Sequence, residues 1–394
     1  MEGSKNILLL DGNSSHCLPI MKSLERKGHT VTLICPSVFS CGYFSRYGQE
    51  KLIWPRITEE EEKFYQLLIS HIKDKKYDLL MGLSDASSKM LSAKKKEIEH
   101  YSKIIIPDFE IFQKAANKFL TMKFCMDNGI PCPTTVDGDE YENNSESSSG
   151  NLTFPVVIKP KQGVGAVGFS IIYDRNELER RLPEMKQKFG SMLIQEFIPN
   201  EEQYTVEAFC DHSSDLKACV VAQKTRFFPI QGGTSSCNVT ADYPEITDTV
   251  EKLLQKLNWI GSANVDLIVD PRDKTPKVIE INPRVGAIVK IAFLSGVDIA
   301  DMSIKMINKI PISNNKKNPS GIVMRNLMLD LLWFIFSSIE SKRNTRPSFF
   351  KFFGNKLHYQ NFGADDPFPF IGYLLSNALK YTDINILKRK LDLK

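Results

Sequence analysis

Residues 277–290 read KVIEINPRVGAIVK. Val278, Ile279 and Ile281 promise a strand anchored in a core, yet Glu280, Asn282 and Arg284 interrupt it at every second position. Residues i, i+2 and i+4 of a strand share one face. A carboxylate, an amide and a guanidinium are therefore expected to stand in a row.

The preceding run, SANVDLIVD, is a second strand, joined to the first by the turn residues Pro271-Arg272-Asp273-Lys274. Paired as a hairpin, the two strands bring Asp266 beside Glu280 and Asn282. Two carboxylates and an amide oxygen, without His or Cys, are hard ligands. They suit Mg²⁺, which takes one or two carboxylates together with substrate phosphates. An exposed hairpin with solvated charges is the plainer account, but it explains poorly why the acids lie inside β-branched runs.

Upstream, KPKQGVGAVGFSII contains Gly163-x-Gly165-x-x-Gly168. The dinucleotide fingerprint needs a helix directly after such glycines. Here the β pattern Phe169-Ser170-Ile171-Ile172-Tyr173 follows, and no Gly-Lys-Ser/Thr closes a P-loop. Two readings stay open. One is a flexible glycine hairpin closing over phosphates, with Lys159 as a point charge on the incoming strand. The other is a plain hairpin turn.

The 394 residues suggest two or three domains at roughly 100–200 residues each. A net charge of +4 gives no general attraction to nucleic acid or anionic lipid. The apolar stretch Ile7–Leu10 is too short for a signal peptide, and Leu327–Ile339, interrupted by Asp330, is too short to span a bilayer. Eight scattered cysteines with no CxxC pair indicate idle thiols in a reducing cytoplasm. The six histidines fall in no ligand spacing and read as ordinary surface or capping residues.

Up to about residue 107, short apolar strands alternate with helical patterns, the signature of a parallel sheet with helices packed on it. A helix is expected over Ile111–Asn128, ending at Gly129-Ile130-Pro131. DGDEYENNSESSSGN (137–151) reads as a surface loop, and the chain up to Pro283 is strand-rich.

Taken in order, Lys118 before GIPCP, Lys159 in VIKP, the glycine hairpin, QEFI, Asp266 and EINPR resemble the motifs of ATP-grasp enzymes over about residues 108–302. FSRYGQEKLIWP, GGTSS (232–236) and NWIGSANVDLIVD resemble the D-aspartate-ligase-like and carbamoyl-phosphate-synthase-like branch. The resemblance implies an α/β and α+β chain: an N-terminal Rossmann-like parallel α/β domain (1–107), then an ATP-grasp fold (108–310) with a glycine-hairpin lid subdomain (about 119–193). Residues 311–394 would form a C-terminal extension.

It also implies roles. Lys118 and Lys159 would bind ATP phosphates beneath Gly163, Gly165 and Gly168. The Glu196 carbonyl and Ile198 amide would read adenine beside Phe197, with Gln195 standing where relatives have Glu. Glu202 or Gln203 would meet the ribose. Asp266, Glu280 and Asn282 would hold Mg²⁺ (or Mn²⁺), and Arg284, with Lys159, would steady the transferring phosphate.

The expected reaction joins a carboxylate and an amine, both small molecules, through an acyl phosphate. Carboxyphosphate chemistry is the enzymatic alternative, and a non-catalytic ATP-binding module is the alternative from another class. Substrate candidates are Arg226, Ser235 of the GGTSS loop, and Ser14 and Ser15 of DGNSSH. The aromatic C-terminal stretch (LLWFIFSSI, then FFKFFGNKLHYQNF) reads as a packed extension or a homodimer surface, with membrane contact ranked behind both.

Overall fold

The computed structural model describes residues 3–143, 152–163, 167–199, 202–230, 233–316 and 319–381. The first unit runs β1 (Asn6–Leu9), α1 (Cys17–Arg26), β2 (Thr30–Cys35), β3 (Glu50–Ile53), α2 (Glu61–Asp74), β4 (Leu79–Met81), α3 (Asp85–Ala93), α4 (Lys95–Ile98) and β5 (Lys103–Ile104). Its five strands are all parallel, in the order β3-β2-β1-β4-β5. Ile7 and Leu9 pack with α1 on one face, while Leu8 and Leu10 pack with α2 and α3 on the other. A strand buried on both faces has to be apolar throughout, which is why ILLL shows no alternation. β3 lies inside GQEKLIWP, a stretch whose strand character the sequence did not announce.

The order reverses between β1 and β4, and the loops following these two strands flank that switch point. Asp11, with a left-handed φ of 69°, ties the loops together. Its carboxylate accepts the N–H groups of Leu83 (3.0 Å) and Ser84 (3.1 Å).

The single helix expected over 111–128 is two helices, α5 (Phe109–Ala116) and α6 (Lys118–Asp127). Asn117 adopts an extended conformation, and its side-chain oxygen accepts the N–H groups of Phe119 (3.0 Å) and Leu120 (3.2 Å). Capping of this kind favours a fresh helix start over continuation. It puts Lys118 in the first turn of α6.

A four-stranded antiparallel sheet follows, in the order β6-β9-β7-β8, built from β6 (Thr135–Asp137), β7 (Val156–Pro160), β8 (Ser170–Ile172) and β9 (Met192–Glu196). The acidic stretch after β6 is not wholly loop, because Gly138–Asn143 forms α7. There Asp139 pairs with Lys161 (2.8 Å) and Lys186 (2.9 Å). The remainder of that expected loop, 144–151, lies outside the described residues. Helix α8 (Arg175–Phe189) covers the sheet through Leu178 and Leu182, which meet Ile158, Ile172 and Ile194.

The large sheet has the order β14-β13-β10-β11-β12-β15-β16. Its strands are β10 (Glu202–Cys210), β11 (Leu216–Phe228), β12 (Thr234–Thr240), β13 (Gly261–Val269), β14 (Pro276–Asn282), β15 (Val323–Arg325) and β16 (Leu357–Tyr359). Helix α9 (Pro244–Lys256) packs under it through Ile246, Val250 and Leu253. Phe209, Val220 and Ala222 join the cluster that holds α1, α10 (Val289–Leu294) and α11 (Ile299–Ile307), so the first unit and the large sheet share one core.

The last two strands come from the segment read as an extension. Helix α12 (Leu327–Phe336), helix α13 (Ile339–Asn344) and, beyond β16, helix α14 (Pro369–Tyr381) belong to it as well. Among the described residues no helix is long and apolar enough to cross a membrane.

Candidate active site

A cavity of about 550 Å³ lies between the four-stranded sheet and the upper face of β10, β11, β13 and β14. Strand alternation decides what enters it. On β10, Tyr204, Val206 and Ala208 turn into the core, while Gln203 and Thr205 line the cavity. On β7, Val156 and Ile158 are core residues, while Val157 and Lys159 line it.

Asp266 and Glu280 are direct cross-strand partners, and Asn264 opposite Asn282 is the next pair on that face. The register slips once, because Leu267 pairs with Val278 and leaves Ile279 as an extra residue. Such a bulge turns two consecutive side chains to one side. Ile279, expected in the core, therefore lines the cavity next to Glu280. The row of acids has an apolar neighbour that a simple period of two does not reveal.

Three lysines face these two acids. Lys118 donates to Glu280 (3.1 Å) and to the Gly163 carbonyl (2.7 Å), and Lys224 pairs with Asp266 at 2.6 Å. Lys159 is 9% exposed. Burial brings its ammonium down to about 8, with Lys118 adding to the effect and Glu280 opposing it. Burial also penalises the Glu280 carboxylate, but Lys118, Lys159 and Lys224 together outweigh it and hold the group down at about 2. Asp266 goes the other way. Burial raises it, and the Glu280 charge adds to that rise against Lys224.

Among the described residues, Asp266 Oδ1 is buried with no hydrogen-bond partner. Asn282 gives its amide N–H to Asn264 Oδ1 (3.2 Å), which leaves the Asn282 oxygen available as an acceptor. Two neighbouring carboxylates, one oxygen unsatisfied, and a free amide oxygen form a hard-donor set that fits a divalent cation.

Arg284 extends the row toward the first unit. Its guanidinium clasps Asp85 at the start of α3 through two hydrogen bonds of 3.0 and 3.1 Å. The loop carrying it is fixed from beneath, where Glu207 accepts the Gly286 N–H at 2.8 Å. A Cβ on Gly286 would meet the Glu207 and Asn264 side chains at 2.5 Å, so a larger residue there would have to displace them. Burial pushes the Glu207 carboxyl up to about 8.

The remaining expected residues divide. Gln195, Glu196, Phe197, Ile198, Gln203, Gly163 and Ser235 line the cavity. The Glu196 side chain is turned away to Arg272 and the Thr134 N–H. Glu202 shares its strand face with Tyr204, whose hydroxyl donates to it (3.1 Å), and stands outside the cavity. Gly168 has a φ of 76°, and a Cβ there would meet Pro160 at 2.8 Å. Gly165 lies outside the described residues.

Ser14 and Ser15 sit in the switch-point loop, where Ser15 accepts from Gln360 (3.0 Å). His16, read as an ordinary surface or capping residue, holds the N-cap position of α1; its ring is tied to the Leu83 carbonyl (3.1 Å) rather than to the helix end, and burial lowers it to about 4.

Arg226 does not reach the cavity. It is wholly buried and grips Asp330 of α12 through contacts of 2.5 and 2.9 Å. A bulge in the β11–β12 pairing, between Lys224 and Arg226, accompanies this change of side. Lys224, Thr205 and Asn264 were missed. The signal for them was the polar phase of QYTVE and the lysine inside VVAQKTRF, weak until the strands are paired.

Residues 115–288 match the family described as the ATP-grasp domain. Among curated proteins, D-aspartate ligase of Enterococcus faecium (strain Aus0004) is 27% identical over 245 residues, 58% of each chain. The C-terminal section of the carbamoyl phosphate synthase large chain of Methanopyrus kandleri is 24% identical over 188 residues, 45% of this chain and 34% of that one. The chain thus spans little more than half, or less, of these relatives. Among solved structures, the biotin carboxylase domain of Hydrogenobacter thermophilus 2-oxoglutarate carboxylase, in complex with MgADP, ADP and bicarbonate, superposes with a TM-score of 0.67 at 14% identity, covering 80% of this chain and 72% of that one. The segment 115–288 is thus similar to an ATP-grasp domain, in sequence as well as in fold.

Proposed function

We propose that the chain is an ATP-dependent ligase that activates a carboxylate as an acyl phosphate and joins it to an amine, releasing ADP and phosphate. The observation that carries this reading is the wall of Lys118, Lys159 and Lys224 facing Asp266 and Glu280, next to an apolar slot bounded by residues 195–198. Adenine would lie along Phe197 and Ile198, reading the Glu196 carbonyl and the Ile198 amide, with Gln203 at the ribose. Lys118 and Lys159 would take the phosphates. Asp266, Glu280 and Asn282 would hold Mg²⁺, or Mn²⁺ in its place, and the ion would neutralise triphosphate charge. A compartment that supplies ATP and keeps eight free thiols reduced, the cytoplasm, suits this reading.

The chain's own groups supply position and charge, which is most of what phosphoryl transfer needs. The substrate carboxylate oxygen attacks the γ-phosphorus, the bond to ADP breaks, and Lys159 offsets the charge on the transferring group. The amine nitrogen then attacks the acyl carbon, phosphate departs, and the amine loses its proton. Arg284, held by Asp85, faces the crevice at the β1/β4 switch point, where open α/β sheets bind ligands. That crevice is the proposed entry for the substrates.

The test is ADP release with Mg·ATP against pools of amino acids, hydroxy acids and sugar acids, followed by mass analysis. A product equal in mass to the two substrates less water supports the proposal. Bicarbonate-dependent release without an amine would move the chain to carboxyphosphate chemistry. Tight Mg·ATP binding with no release in any pool would make it a binding module.

A further inference from the structure

The buried Arg226–Asp330 pair leaves a consequence on the opposite side of α12. Asp330 also receives Arg325 Nε (2.6 Å) and the Ser236 hydroxyl (3.1 Å), and both arginines are wholly buried. Arg226 reaches on to the Pro347 carbonyl and Arg325 to the Lys351 carbonyl, each at 2.6 Å. The inner side of α12 and the backbone of 347–351 are therefore bolted to the large sheet by ionic contacts. Neither can roll inward to hide an apolar side chain.

What this frame holds outward is apolar. Leu331 and Ile335, one turn apart on α12, are 48% and 57% exposed, Phe336 is 51%, Phe350 is 71% and Phe353 is 89%. A helix that is apolar on its outer face as well as its inner one is expected to be covered by something. The same segment supplies charge of one sign. Between Ser338 and Lys356 there are five cations, Lys342, Arg343, Arg346, Lys351 and Lys356, against the single acid Glu340. The Lys342 ammonium lies 4.9 Å from the Phe334 ring centre, so cation and aromatic belong to one surface.

From this combination we infer a peripheral docking surface for an anionic lipid bilayer, with Phe350 and Phe353 entering the interface and the cations meeting lipid phosphates. A second copy of the chain is disfavoured as the occupant. A twofold contact would face this cationic patch with itself, and like charges buried without partners are costly. An anionic interface satisfies both the apolar and the cationic components.

The experiment is flotation of the full chain with phosphatidylcholine vesicles, with and without phosphatidylglycerol, at low salt and at roughly 0.5 M salt, where screening is strong. Binding is expected only with the anionic vesicles, and high salt should reduce it. Phe353→Ser, at a side chain almost free of the fold, should weaken binding about tenfold. Arg343→Gln and Lys351→Gln should each weaken it about fivefold, from roughly 1 kcal/mol per cation. Equal binding to neutral vesicles, or none to anionic ones, would overturn the inference. So would sedimentation showing a dimer that Phe353→Ser dissociates, since that would assign the face to self-association.

Discussion

Lys159 makes a prediction in which stability and binding move in opposite directions. Its ammonium is buried, and its value falls from 10.5 to about 8. The folded state therefore binds fewer protons than the unfolded chain between these values, so the cost of burying the charge is full below pH 8 and fades as pH rises through 10.5. At roughly 1.4 kcal/mol per unit, that cost is about 3 kcal/mol. Lys159→Met, which keeps the bulk and removes the charge, should raise the melting temperature of the ligand-free protein at pH 7 and lose that advantage near pH 10.

ATP affinity should do the reverse. Phosphate favours the charged lysine, so binding above pH 8 must take up a proton. With a value near 8, about one molecule in eleven is charged at pH 9, and the wild-type affinity should fall about tenfold between pH 7 and pH 9. Calorimetry in two buffers of different ionisation enthalpy reads both the affinity and the proton uptake. Lys159→Arg, always charged, should show neither pH effect. A flat wild-type affinity with no proton uptake, or a Lys159→Met variant less stable than wild type at pH 7, would refute the reasoning.

Glu280→Gln should nearly abolish turnover and weaken the Mg²⁺ dependence while the fold persists, read by ADP release across a Mg²⁺ titration; wild-type turnover would remove the metal site. Gln203→Ala should raise the KM for ATP whereas Glu202→Ala should not, because only Gln203 is on the cavity side of β10; equal effects in steady-state kinetics would contradict that assignment. Asp330→Asn should cost roughly 3–5 kcal/mol, since two buried arginines lose their counter-charge. A thermal melt within a degree or two of wild type would show the cluster to be dispensable.

The sequence alone determined whatever depends on local periodicity. The parallel α/β start followed from apolar strands alternating with helical patterns. The VDLIVD/VIEIN hairpin, with Asp266 opposite Glu280, followed from two β-branched runs separated by a four-residue turn. Those residues carry their own instructions, because side-chain direction in a strand is set by position parity. Only tertiary structure decided the rest.

Asn117 split a helix because its cap competed successfully with helix continuation. A bulge at Ile279 changed which side chains face the cavity, and another between Lys224 and Arg226 sent one cation to the site and the other beneath α12. Asp85 met Arg284 although 198 residues lie between them in the chain, because a shared core fixes the first unit against the large sheet. Periodicity records which face a residue takes but not which strand will lie opposite it. The partners of Lys224, Arg226 and Arg284 were set by pairings that no local pattern encodes.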